Sequence, residues 1–117
     1  MYRLSILLFA IAAVAGLIMA IAHFRKATLP RPALAVLHGL FAASGLVVLL
    51  LALIKVGMHG APAIALGLLV VAALGGFGLL SFHLRARALP SGLVVGHALL
   101  AVAGFVTLLA AEFAMLS

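Results

Sequence analysis

Of the five histidines in this sequence, four fall into a pattern that could do chemistry. His23 and His83 stand 60 positions apart, each two residues before an arginine, Arg25 or Arg85. His38 and His97 stand 59 positions apart, six and seven residues beyond Pro32 and Pro90. Each of the four is also seven residues from a glycine: His23 from Gly16, His38 from Gly45, His83 from Gly76 and His97 from Gly104. In a helix seven residues make nearly two turns, so each histidine shares a face with its glycine. There is no cysteine, and the only acidic side chain is Glu112. A metal or cofactor must therefore be held through imidazole, since neither thiolate nor a carboxylate cluster is on offer. The fifth histidine, His59, has no counterpart and reads as a loop residue.

The elements that position these imidazoles follow from composition. Of the 117 residues, 69% are hydrophobic and 7% charged, whereas a soluble domain carries roughly a quarter of its residues charged. Uncharged apolar runs cover Leu4 to Ala22, Pro32 to Ile54, Ala61 to Phe82 and Gly92 to Ala111. Each is near the ~20 residues a helix needs to cross the hydrocarbon of a bilayer. Continuous apolarity excludes barrel strands, which alternate, and lipid leaves no partner for open backbone groups. The expected fold is all-α: an integral membrane four-helix up-down-up-down bundle, one domain over residues 1–117, with spans at about 4–24, 32–54, 62–84 and 91–114. The first run follows Arg3 and contains small residues, as a secretory leader does, but further spans follow it rather than a soluble domain.

The net charge of +6 does not mark a nucleic-acid groove. Arg25, Lys26, Arg31, Arg85 and Arg87 all fall in the two loops at 25–31 and 85–90, where basic residues set membrane orientation. Those loops are expected on the cytoplasmic side, with both termini opposite, in a bacterial inner membrane.

The chain reads as a duplicated hairpin, with repeat 1 at about 4–54 and repeat 2 at about 62–114. His23, Arg25, Leu29 and Pro30 recur as His83, Arg85, Leu89 and Pro90. After the loss of one residue, His38 and Gly45 recur as His97 and Gly104; upstream, Ala12, Ala13 and Gly16 recur as Ala72, Ala73 and Gly76. A two-helix unit re-enters the membrane from the same side, so the halves are related by an axis along the membrane normal. Short loops make sequential helices antiparallel neighbours, which puts the second and fourth helices on a diagonal.

His38 and His97 then lie ~9–10 Å inside the membrane at 1.5 Å per residue, while His23 and His83 sit near the polar boundary. A deep imidazole needs a partner, because polar groups inside a bilayer are costly. Glu112 belongs at the far end, where Arg3 or Lys55 neutralises it. What remains is a carbonyl, water, another imidazole, or a bound metal or cofactor. Two neutral imidazoles on diagonal helices suit the axial positions of a haem iron. His38 and His97 would be the iron ligands, with Gly16, Gly45, Gly76 and Gly104 clearing space beside the macrocycle. Arg25, Arg85, Lys26 and Arg31, together with His23 and His83, would meet its propionates. The bland alternative is that the histidines and glycines only pack helices together; a transition-metal site or proton pathway is the other.

In topology and in the placement of His38 and His97, the chain resembles the four-helix modules of membrane b-type cytochromes. That resemblance implies haem b, electron transfer with partner membrane subunits or a homo-oligomer, and exchange with a quinone pool. With every repeated histidine toward one face, one haem is expected between His38 and His97, or an unusual crowded pair. Two other functions stay open: a haem-free structural or assembly subunit of a larger membrane complex, and a small oligomeric transporter with its site near the deeper histidines. No nucleophile or acid–base pair marks the chain as an enzyme by itself.

Overall fold

The computed structural model describes residues 2–25 and 32–116. These form four helices: α1 (Arg3–Phe24), α2 (Pro32–Val56), α3 (Gly60–Leu84) and α4 (Ser91–Leu116). All four are long and apolar enough to cross a membrane, and no strand occurs among the described residues. Lys26 and Arg31 lie outside the described residues.

Local chemistry explains the ends. Pro32 opens α2, at the position where a helix has no use for the missing N–H. Gly57 and Gly60 take φ angles of +110° and +73°, which lets three residues turn the chain from α2 into α3. At the far end of α3 the Arg87 N–H donates to the Phe82 carbonyl (2.9 Å) and the Ala86 N–H to that of His83 (3.1 Å). This is a Schellman stop, and its left-handed residue is Ala86 at φ +53° rather than the usual glycine.

The helices stand as a four-sided bundle 44 Å long and about 20 Å across. Contacts run α1 to α2, α2 to α3, α3 to α4 and α4 back to α1; the diagonal pairs are not neighbours. Packing is closest within the hairpins α1–α2 and α3–α4. Tyr2 at the start of α1 meets Glu112 near the end of α4, and His23 at the end of α1 meets Ser91 at the start of α4, so these two helices run antiparallel.

The large apolar core occupies one half of the bundle's length: Tyr2, Phe9, Leu49, Leu53, Ala65, Leu69 and Leu108, with Phe105 and Leu46 against it. Next along α1 and α3 the buried positions are small, with Ala12 and Ala15 on α1 and Ala72 on α3. That reduction in side-chain volume leaves room for the rings of His38 and His97. Outside, the bundle is apolar as well; Leu74, Phe77, Leu99 and Phe113 are each about two-thirds exposed. Helices apolar on every face belong inside a large core or a bilayer.

Candidate functional site

His38 and His97 meet across the bundle. Their ring centroids are 6.1 Å apart and the ring planes stand at 82°. The two rings come from the diagonal helices α2 and α4, whose backbones are not in contact.

Each ring is set by the other helix of its own hairpin. His38 Nδ1 lies 2.6 Å from the Ala12 carbonyl oxygen, and His97 Nδ1 lies 2.6 Å from that of Ala72. A carbonyl only accepts, so both rings carry their proton on Nδ1 and donate it. The lone pair of each is then on Nε2, and neither Nε2 has a hydrogen-bond partner among the described residues. An imidazole whose Nδ1–H is anchored on a carbonyl is oriented and made more basic for ligation through Nε2.

The glycines are where the rings seat. A Cβ built on Gly16 would come 2.9 Å from His38 Cε1, and one on Gly76 would come 3.1 Å from His97 Cε1. Gly75 also lies beneath His97, where an added Cβ would come 3.6 Å from the His97 Cβ. The second pair of glycines takes other side chains: Gly45 faces the Phe9 ring and Gly104 faces Leu69. Gly16 and Gly76 thus belong to the histidine level, while Gly45 and Gly104 join the apolar core. The same contacts recur 60 positions along α1 and α3 and 59 along α2 and α4.

The two boundary histidines differ from one another. His23 Nε2 shares a 3.1 Å hydrogen bond with Ser91 Oγ. His83 is 9% exposed, and its buried Nε2 has no partner among the described residues. Arg25 is exposed. Arg85 is exposed as well and folds back along α3, its Nε and Nη2 each 3.2 Å from the Ser81 carbonyl and hydroxyl oxygens, respectively. Its guanidinium also lies 5.3 Å from the centre of the Phe82 ring.

Compared with protein-family models, curated proteins and solved structures, the chain matches none. No match therefore supports the expected resemblance to b-type cytochrome modules, and what stands is a bundle of four apolar helices.

At the opposite end Glu112 is 8% exposed. It accepts a 3.3 Å hydrogen bond from the Tyr2 N–H and lies 3.6 Å from Arg3 Nε, so Arg3 is one cation beside it. Ser44 and Ser81 donate to carbonyls in the preceding turn, those of Leu40 (2.8 Å) and Gly78 (2.6 Å), and His59 is exposed.

Sequence reasoning paired each histidine with the glycine of its own helix, yet the contact that matters is with the glycine of the neighbouring helix. The signal was present in the recurrence of Ala12, Ala13 and Gly16 as Ala72, Ala73 and Gly76. The Ala12 and Ala72 carbonyls, and Ser91 as the partner of His23, went unnoticed.

Proposed function

We propose that this chain is an integral membrane electron-transfer or anchor subunit that holds one haem b between His38 and His97. The observation that carries the reading is the pairing of two Nδ1-anchored imidazoles across the bundle. Their ring centroids are 6.1 Å apart, and with each Nδ1 on a carbonyl it is Nε2 of each ring that would hold a metal. No group of three or more histidine, cysteine, aspartate or glutamate side chains suited to a metal ion occurs among the described residues. Two imidazoles alone are a poor site for a bare ion, but they would suffice as the protein ligands of a haem iron.

The donor set therefore fits haem. His38 and His97 would be its ligands, and the Ala12 and Ala72 carbonyls would hold those ligands in register. Haem bound there supplies a one-electron couple. The chain contributes its burial, its neutral ligands and the basic residues at that end, all of which act on the potential. A lone carrier of this size needs other membrane subunits, a second copy or a quinone to exchange electrons with. The apolar exterior, the duplicated hairpin and the basic loops support insertion in a bacterial inner membrane, with residues 25–31 and 85–90 on the cytoplasmic side.

The absorption spectrum tests this directly. Protein purified from haem-replete cells should show a Soret band that is lost in His38→Ala and in His97→Ala, with helix content retained.

One observation favours a second reading, in which the chain is a haem-free packing subunit. Gly16 and Gly76 are covered by imidazoles, as they would be if the histidines only joined helices. Colourless protein from the same cells selects that reading.

A further inference from the structure

The two hairpins place a histidine at the same point, near the end of α1 and of α3, but they leave it in different states. His23 reaches the hydroxyl of Ser91, the first residue of α4. The corresponding first residue of α2 is Pro32, which has neither a side-chain oxygen nor an N–H to offer. His83 is accordingly 9% exposed, with its Nε2 buried and unpaired among the described residues. An imidazole left this way is costly to keep, and a leucine or phenylalanine would fill the space without the penalty.

We propose that His83 Nε2 donates a hydrogen bond to a carboxylate of the ligand held between the hairpins, and that His23, already satisfied by Ser91, does not. This rests on the haem reading, in which the carboxylates are the two propionates. Position supports it. His83 lies seven residues beyond Gly76, against which the His97 ring is seated, so it is about 10 Å along α3 toward the basic end. That is about the reach of a propionate from the centre of a porphyrin. A donor to a carboxylate makes one of the stronger hydrogen bonds available, more so where water is excluded. The asymmetry also gives the ligand one orientation of two, since the near-repeat alone would accept either.

The test compares haem b with its dimethyl ester, which keeps the iron and ring and has no free carboxylate. Both are titrated into the full apo-protein in detergent, as wild type, His83→Phe and His83→Gln. The expected result is that His83→Phe weakens haem binding about tenfold or more, about 1.4 kcal/mol, while ester binding and the unfolding midpoint of the apo-protein do not fall. His83→Gln, which keeps a donor, should recover most of the loss. Should the phenyl ring not be accommodated, His83→Leu serves as the apolar variant. Unchanged haem affinity in the apolar variant, or an equal loss for haem and ester, overturns the assignment while leaving His38 and His97 as ligands. Wild-type protein that takes up neither compound overturns both proposals together.

Discussion

The imidazole of His38 stands edge-to-face with that of His97, 6.1 Å between ring centres, although the helices that carry them are diagonal and do not touch. Each ring reaches the axis because a glycine on the next helix gives way beneath it and an alanine carbonyl takes its Nδ1 proton. Because carbonyls orient both rings, the pair is arranged before any ligand arrives. Preorganisation of this kind lowers the ordering cost of binding.

Adding a methyl group beneath the rings should displace them. In Gly16→Ala the new Cβ would sit 2.9 Å from His38 Cε1, and in Gly76→Ala 3.1 Å from His97 Cε1. Alanine gains about 1 kcal/mol of helix propensity over glycine, but overpacking costs about 1–3 kcal/mol and the hydrogen bond to the carbonyl is lengthened too. Both variants should lose stability, Gly16→Ala the more. Gly39→Ala and Gly96→Ala meet open space and should gain up to about 1 kcal/mol. Unfolding by SDS titration in mixed micelles checks the order; a neutral Gly16→Ala would mean that the ring is not confined there.

Ala86 pays for a turn that glycine would make freely. At φ +53° its Cβ crowds the carbonyl that follows, at about 1–2 kcal/mol, and part of that is returned as the greater freedom of glycine in the unfolded chain. Ala86→Gly should stabilise the protein by about 1 kcal/mol in the same titration. A loss of stability would show that the Schellman stop of α3 does not form.

Glu112 ties α4 to the start of α1 by accepting from the Tyr2 N–H at 3.3 Å. The Arg3 side chain is 78% exposed, and such a surface pair is worth little. Glu112→Gln keeps an acceptor and should change stability by less than about 1 kcal/mol, whereas Glu112→Leu strands a buried donor and should cost about 1–3 kcal/mol. Thermal unfolding in detergent separates the two. Ion-coupled uptake into liposomes that depends on Glu112 would instead favour the transporter reading.

Orientation can be read with single cysteines in this cysteine-free chain. Cysteine at position 59, between α2 and α3, should react with an impermeant maleimide added to intact cells. Cysteine at position 88, between α3 and α4, should react only after the membrane is opened. The reverse pattern would place the basic loops outside.

Much of this was legible because it depends on quantities that add along a chain. Four apolar stretches, the prolines between them and the recurrence of His38 as His97 lead directly to four helices with two histidines at one depth. Other features depend on groups that sequence does not mark. Every residue carries a carbonyl, so nothing in the letters of Ala12 or Ala72 says that an imidazole will bond to it. Gly16 and Gly45 are the same letter, yet one lies under an imidazole and the other under the Phe9 ring.

The sequence alone determined the number of helices, their length and that each is apolar enough to cross a membrane, since hydrophobicity and the 1.5 Å rise act residue by residue. Only the tertiary structure decided which nitrogen of each ring is protonated, which glycine each ring rests on, and that His83 is left without the hydroxyl that His23 finds in Ser91. Those facts depend on the rotation and spacing of neighbouring helices, which are settled by packing between segments distant in the chain.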